Sequence, residues 1–215
     1  MNNSKINDMN YKHMKNLQMD SIGEYSITLP KEADQISFII KELDLLKGKT
    51  NVTITDATAG IGGNTLSFST FFDKVNAIEL DNIRYNYLIN NLSTFNATNV
   101  SVFNDDMLNI LSKLHQDIIF IDPPWGGKNY KRKNKIRLRI SDRILEQICN
   151  AILENKIANV LALKLPFNYD FEYLYSSINL EFISILKYEI SPRIVLVILY
   201  NNTVNENVPI SYNMT

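Results

Sequence analysis

The chain has 215 residues, a formal net charge of -1, 45% hydrophobic residues and 21% charged residues. This balance is typical of one folded domain and excludes disorder along the whole length. The single cysteine, Cys149, excludes a disulfide framework and a cysteine-based zinc site, and with two histidines we expect no metal. No apolar run is long enough to span a bilayer and the start does not resemble a secretory signal, so we expect a soluble intracellular protein, cytoplasmic or nuclear.

Short β-branched runs alternate with longer amphipathic stretches from residue 51 onward, which predicts an α/β fold with a mostly parallel sheet. Only a short turn separates the last two strands, so we expect the seventh strand to enter antiparallel, as an edge hairpin with the sixth. The seven predicted strands are Val52–Thr55, Lys74–Glu79, Val100–Phe103, Asp117–Ile121, Val160–Leu165, Glu181–Tyr188 and Ile194–Tyr200. The predicted helices are Ala33–Leu46, Asn64–Phe72, Asn82–Phe95, Met107–Leu114, Asp142–Asn155 and Tyr169–Ser177.

The pattern divides the chain into three parts. Residues 1–47 form an N-terminal extension with a helix, residues 48–200 form the sheet-containing domain, and residues 201–215 form a polar tail that we expect to be poorly ordered. We see no internal repeat or second domain and expect a monomer. The abundance of Asn and Ile is typical of an AT-rich genome, such as that of a large DNA virus or a parasite.

A glycine-rich turn at residues 56–65, with the sequence DATAGIGGNT, follows the first predicted strand and opens a helix that Asn64 or Thr65 could cap. Ligands of open α/β sheets bind outside the carboxyl ends of the strands, and glycines let the backbone approach them closely. The turn lacks both the P-loop motif and the third glycine of a dinucleotide fingerprint, which favours S-adenosylmethionine as the cofactor. A tight turn without a ligand is the alternative. The candidate cofactor-binding residues here are Asp56, Thr58, Ala59, Gly60, Gly62, Asn64 and Thr65.

Acidic residues follow the second and third strands. Glu79 is placed to accept hydrogen bonds from ribose hydroxyls, whereas Asp81 is expected to cap the next helix. After the third strand, Asp106 offers a carboxylate to an adenine amino group and Met107 offers an apolar contact to its ring. Ordinary solvation of Glu79 and helix capping by Asp106 are the alternative interpretations.

The most specific segment, Asp122-Pro123-Pro124-Trp125-Gly126-Gly127, follows the fourth strand. The prolines lack N–H groups but keep their carbonyls as acceptors. An exocyclic amine could donate one hydrogen to the Asp122 carboxylate, which also borders the cofactor, and another to the Pro123 carbonyl. This would aim the nitrogen lone pair at a methyl sulfonium while Trp125 stacks on the base. A rigid turn with a packed tryptophan is the alternative, and Asp122, Pro123 and Trp125 are our catalytic candidates.

The sheet pattern resembles the Rossmann-like class I methyltransferase fold, and the glycine-rich turn, Ile78–Asp81 and Pro123–Gly127 together resemble the trimethylguanosine synthase family. The resemblance implies methyl transfer from S-adenosylmethionine to N2 of the 7-methylguanosine cap of RNA, with Trp125 stacked on the methylated guanine. Tyr25 and Thr28 lie in a segment similar to the family's aromatic-Ser-aliphatic-Thr-Pro motif and are expected to contact substrate. One departure is Asp122, because the cellular cap enzymes have serine there and an Asp-Pro-Pro-aromatic motif also occurs in amino-directed DNA and ribosomal RNA methyltransferases.

A basic segment, residues 128–143, carries eight Lys or Arg residues and one Asp, a local charge of +7. Positive charge of this kind suits the triphosphate bridge and the first phosphates of capped RNA, and we expect Lys128, Lys131 and Arg132 to bind them. A solvated loop or a nuclear-import signal is the alternative.

Two functions compete with cap guanine-N2 transfer. One is amino methylation of an internal base of RNA or DNA, and the other is cap binding without catalysis. The sequence does not distinguish the transfer of one methyl group from the transfer of two.

Overall fold

The computed structural model describes residues 17–178 and 183–201, so most of the predicted polar tail lies outside the described residues. The chain divides into two compact units, Met1–Asp122 and Pro123–Thr215. The predicted boundaries at residues 47 and 200 stay predictions. No helix in the described ranges has the length and apolar character required to cross a membrane.

The first unit contains four parallel strands in the order β3-β2-β1-β4. β1 and β4 are buried along their whole length, as expected for strands of a parallel sheet with both faces covered. Asp56, the last residue of β1, pairs with Ala77 on one side and Phe120 on the other, so three strand ends meet at its level. The strands are β1 (Thr53–Asp56), β2 (Lys74–Ile78), β3 (Val100–Phe103) and β4 (Ile118–Ile121).

The helices of this unit follow the predicted order with three differences. The predicted helix Met107–Leu114 divides into a helix at Met107–Ile110 and a 3-10 turn at Leu111–Lys113. The predicted helix Ala33–Leu46 is shorter and begins earlier, at Pro30, where the missing N–H of proline costs nothing. A helix at Ser21–Ser26 was not predicted; Asp20 caps it by accepting the Gly23 N–H at 2.7 Å. The helices are Ser21–Ser26, Pro30–Lys41, Gly63–Phe71, Asn82–Thr94 and Met107–Ile110, with 3-10 turns at Asp44–Leu46 and Leu111–Lys113.

The second unit contains three long strands, β7 (Val160–Pro166), β8 (Ile183–Ser191) and β9 (Ile194–Asn201). β9 runs antiparallel to both of the others and lies between them, which confirms the predicted hairpin. The sixth predicted strand, β8, is therefore the outer member of this hairpin. Across the two units all seven predicted strands are present, and the prediction of a mostly parallel seven-stranded sheet with an antiparallel strand is confirmed.

The basic segment has local structure that the sequence did not predict. Residues Lys128–Arg132 form a 3-10 turn, and β5 (Arg139–Ile140) pairs antiparallel with β6 (Arg143–Ile144). The following helix therefore begins at Leu145, three residues later than its predicted start at Asp142. It ends at Glu154. A helix at Phe171–Ser177 follows β7.

Candidate active site

The glycine-rich turn connects the end of β1 to the next helix through two residues with positive φ. Gly60 has φ +57° and Gly62 has φ +103°, a conformation that favours glycine. Gly62 is the N-cap and no side chain caps this helix, so the expected capping by Asn64 or Thr65 is wrong. The Ala59 N–H donates to the carbonyl of Ile78 at 2.9 Å, which ties the turn to the end of β2.

Asp56 is a fully buried carboxyl at the base of this turn. Its Oδ2 accepts a hydrogen bond from the Thr65 hydroxyl at 2.7 Å, and its Oδ1 accepts the Thr58 N–H at 3.4 Å. The pKa of Asp56 is raised to about 7, chiefly by burial and also by the charges of Asp122 and Glu79, while the hydrogen bonds from Thr65 and Thr58 oppose the rise. Near pH 7 the Asp56 carboxyl is therefore present in both its protonated and its ionised form.

Thr58 connects the turn to the end of β4. Its Oγ1 accepts the backbone N–H of Asp122 at 2.8 Å, and the neighbouring Ala57 N–H donates to the Phe120 carbonyl at 2.9 Å. The structure thus brings the predicted cofactor-binding turn and the first residue of the Asp-Pro-Pro-Trp segment together.

Glu79 is buried at the end of β2, where it also holds the glycine-rich turn. Its Oε2 accepts the Gly60 N–H at 2.8 Å, and its Oε1 accepts the Asp81 N–H at 2.9 Å. The Arg84 guanidinium lies 3.5 Å from Oε1 and also pairs with Asp81 and Asp20. A carboxylate accepts about four hydrogen bonds, so Glu79 keeps capacity for a ligand hydroxyl. Arg84 was not predicted, although its place three residues after Asp81 was a usable signal.

The third strand contributes through its following loop. Asp106 caps the short helix by accepting the Leu108 N–H at 2.9 Å, and Met107 is buried. The Asn104 amide donates to the Glu79 carbonyl at 2.8 Å, so this loop is fastened to the end of β2. Asp81 accepts the Ile83 and Arg84 N–H groups, which confirms its expected role as a helix cap.

The acidic corner, defined as Asp56, Glu79 and Asp122, has the chemistry to hold S-adenosylmethionine. A Cβ added to Gly60 would meet no atom within 4 Å, so the turn is open beside the Glu79 carboxylate. The side-chain Oδ1 of Asn64 is buried without a hydrogen-bond partner, which leaves an acceptor to be satisfied. Negative charge suits the sulfonium and ammonium groups of this cofactor, and we conclude that the residues fit it. The described residues contain no His, Cys, Asp and Glu cluster suited to a metal ion.

The N-terminal segment packs on the outside of the glycine-rich turn. Thr28 is buried, and its backbone atoms would lie 3.0 and 3.1 Å from a Cβ on Gly63, so only glycine fits there. The buried Asn91 side chain donates to the carbonyls of Ile61 at 2.8 Å and Gln18 at 3.0 Å, and accepts the Gln18 N–H at 2.8 Å. The side chain of Tyr25, the other expected substrate contact in this segment, is 47% exposed.

In the second unit, Trp125 is held by two neighbours. Its ring packs edge-to-face on Tyr130 with centroids 5.1 Å apart, and the buried Lys164 ammonium lies 5.1 Å from the indole centroid. The ring remains partly exposed, and its Nε1 is buried without a hydrogen-bond partner. Pro123, two residues before Trp125 in the sequence, is buried.

The charges of the basic segment divide into two groups. Lys135 and Arg137 pair with Asp170, and Arg137 also lies 3.5 Å from the centroid of the Tyr173 ring. A further ion pair joins Lys135 to Glu172. Lys128, Lys131, Arg132 and Lys133 are exposed, and the last three form no ion pair with a described carboxylate.

Asn168 anchors the exposed part of this segment. Its buried amide donates to the carbonyls of Tyr130 at 2.9 Å and Lys133 at 2.7 Å, and the Lys131 ammonium lies 5.8 Å from the Tyr130 centroid. The anchoring residue is more than thirty positions away in the sequence, and nothing in the local sequence indicated it.

The family model of the RNA cap guanine-N2 methyltransferases matches residues 51–205. The chain belongs to this family. Membership confirms the resemblance drawn from the glycine-rich turn, Ile78–Asp81 and Pro123–Gly127.

Two curated relatives are similar in sequence to this member of the guanine-N2 methyltransferase family. An uncharacterized protein of Acanthamoeba polyphaga mimivirus is 41% identical over 150 residues, which cover 68% of this chain and 58% of the relative. Trimethylguanosine synthase of Schizosaccharomyces pombe is 29% identical over 122 residues, which cover 54% of this chain and 48% of that protein. The chain thus spans only about half the length of the curated relatives it matches.

A solved structure shows the same fold. The human methyltransferase 10 domain containing protein superposes with a TM-score of 0.62 over 93% of this chain and 97% of that chain, at 11% sequence identity. At this identity the likeness shows the fold alone, which is the predicted Rossmann-like methyltransferase fold.

Proposed function

We propose that the chain transfers methyl groups from S-adenosylmethionine to the exocyclic N2 of the 7-methylguanosine cap of RNA, giving 2,7-dimethyl- or 2,2,7-trimethylguanosine. The observation that carries this proposal is the 2.8 Å hydrogen bond from the Asp122 backbone N–H to Thr58 Oγ1. This bond fastens Asp122, which with Pro123 would bind the amine, to the glycine-rich turn, which fits the cofactor. Membership of the cap guanine-N2 family supports the same reaction.

Bound S-adenosylmethionine supplies a methyl group on a positively charged sulfur. The Asp122 carboxylate and the Pro123 carbonyl each accept one hydrogen of the exocyclic amine, because the two prolines offer acceptors and no N–H donors. This orients the nitrogen lone pair, a contribution worth several kcal/mol for an amine that is a poor nucleophile. As the new N–C bond forms, the nitrogen loses one proton, and Asp122 is the group placed to accept it.

Trp125 supplies the base platform in this proposal. Methylation at position 7 makes the guanine ring cationic, and stacking of a cation on an indole contributes about 0.5–2 kcal/mol. The edge contact with Tyr130 holds the indole, and its partly exposed surface leaves room for a base. We assign binding of the triphosphate bridge to Lys128, Lys131 and Arg132, which are exposed in the basic segment.

The mimivirus relative supports the large-DNA-virus source suggested by composition.

Product analysis by mass spectrometry tests the function. The purified chain is incubated with S-adenosylmethionine and, in parallel, with 7-methyl-GpppG, GpppG and uncapped RNA. We expect one or two methyl groups on the 7-methylated cap alone. Equal transfer to GpppG would contradict the stacking role of Trp125, and transfer confined to uncapped RNA would favour an internal-base methyltransferase. Cap and cofactor binding without transfer would favour a binding module.

A further inference from the structure

Phe167 presents an aromatic ring to solvent from a fixed backbone. It follows Pro166, the last residue of β7, and its side chain is 49% exposed. Its N–H donates to the Arg193 carbonyl at 3.1 Å, and the residues on either side, Pro166 and Asn168, are buried. An exposed phenylalanine by itself is ordinary, so its meaning depends on what surrounds it.

The surroundings of Phe167 are cationic. Asn168, the next residue, donates to the carbonyls of Tyr130 and Lys133 and so holds the exposed part of the basic segment near Phe167. Lys131 and Lys133 form no ion pair with a described carboxylate, and the Arg193 side chain is exposed. Cations beside an exposed aromatic ring are the usual means of binding a single-stranded nucleic acid, through its phosphates and one stacked base.

Two chains of contacts connect Phe167 to Trp125 within this unit. The Lys164 ammonium lies 5.1 Å from the Trp125 centroid, and Phe167 is the first residue after the strand that carries Lys164. A second connection runs from the Trp125 ring to Tyr130 and from the Tyr130 carbonyl to Asn168. Both connections link Phe167 to Trp125 within this unit, as the binding of two bases joined through a chain of phosphates requires.

We propose that Phe167 stacks on the base of the first nucleotide after the cap, so that the substrate is a capped RNA chain and a cap mononucleotide is bound weakly. The proposal rests on the proposed function, because Trp125 must take the cap guanine. It names the part of the RNA that the basic segment and Phe167 recognise together.

Fluorescence titration tests this inference independently of turnover, because Trp125 is the single tryptophan of the chain. The ligands are 7-methyl-GDP, which has no second base, and 7-methyl-GpppG, which has one. Phe167→Ala should weaken binding of 7-methyl-GpppG by about ten-fold and change binding of 7-methyl-GDP by less than about two-fold. Phe167→Tyr should restore the preference. The matched control is Phe38→Ala, since Phe38 is 57% exposed on a helix of the other unit.

The outcomes separate the two proposals. An unchanged ratio of the two affinities in Phe167→Ala would overturn the stacking role of Phe167 and leave the methyltransferase function intact. Equal weakening of both ligands would show that Phe167 only supports Trp125 and would also overturn the inference. If neither ligand quenches Trp125 fluorescence and wild-type protein methylates neither, the proposed function fails and the inference fails with it.

Discussion

The acidic corner and the basic segment both concentrate charge of one sign, but they hold it in opposite ways. In the acidic corner, Asp56 and Glu79 are buried, and both accept backbone hydrogen bonds. In the basic segment, Lys131 and Arg132 are exposed, and they form no ion pair with a described carboxylate. Rigid buried charge suits a small cationic ligand of fixed shape, whereas exposed charge suits a flexible polyanion. In the proposed function, this difference corresponds to cofactor binding in the acidic corner and RNA binding in the basic segment.

The largest expected effect comes from removing the Asp122 carboxylate, which belongs to the acidic corner and also accepts the exocyclic amine in the proposed function. Asp122→Ala should lower kcat by about 100-fold, because the amine loses one of its two acceptors and its orientation. Cofactor affinity should change far less, since the backbone N–H that bonds Thr58 remains. Single-turnover methyl transfer and calorimetric titration of S-adenosylmethionine measure the two quantities.

Asp44→Ala is the control for this substitution, because Asp44 is an exposed carboxylate that pairs with Lys47 on the surface. It should leave both quantities unchanged. A wild-type kcat in Asp122→Ala would remove Asp122 from the mechanism.

An intermediate effect should distinguish the two groups of cations in the basic segment. Replacing Lys131, Arg132 and Lys133 by Gln should reduce the slope of log affinity against log salt for capped RNA by about 2, at about 0.7 per phosphate contact. Replacing Lys135 and Arg137 should change it by less than about 0.7, since these cations already pair with Asp170. Equal changes in the two variants would show that the ion pairs with Asp170 do not keep Lys135 and Arg137 from contacting RNA phosphates.

The smallest expected effect is a dependence of stability on pH that originates at Asp56. Its pKa is about 7 in the folded state, above the ordinary value of 3.8, so its stabilisation is complete below about pH 4 and is lost as the pH rises through 7. Between pH 5 and 8 the wild-type free energy of unfolding should fall by about 2 kcal/mol more than that of Asp56→Asn. Denaturant unfolding at several pH values measures this, and parallel curves for the two proteins would contradict it.

The order of strands and the glycine-rich turn were predictable because their signals are local. β-branched runs, Gly60 and Gly62 and the capping residue Asp81 each act within a few positions of the chain. The bounds of the Pro30–Lys41 helix and the β5–β6 ribbon were not predicted. A pair of two-residue strands has no period to detect. Helix boundaries depend on caps and neighbours that a periodic pattern does not contain.

The connections within the candidate site could not be predicted, because they join distant positions. Arg84 reaches Asp20, Lys164 lies beside Trp125, and Asn168 holds the carbonyls of the basic segment. Each pair is separated by more than thirty residues, so only the folded chain brings its members together. Residue type predicted which groups carry charge, and packing determined which of those charges are neutralised.

The Asn91 side chain also determines how far the chain can be trimmed from its start. Its amide and carbonyl are both used by the Gln18 backbone, and the same amide reaches Ile61 in the glycine-rich turn. A shortened protein that begins after Gln18 would leave a buried amide partly unsatisfied directly behind that turn. Any functional fragment should therefore begin at Leu17 or earlier, even though the family match starts only at residue 51.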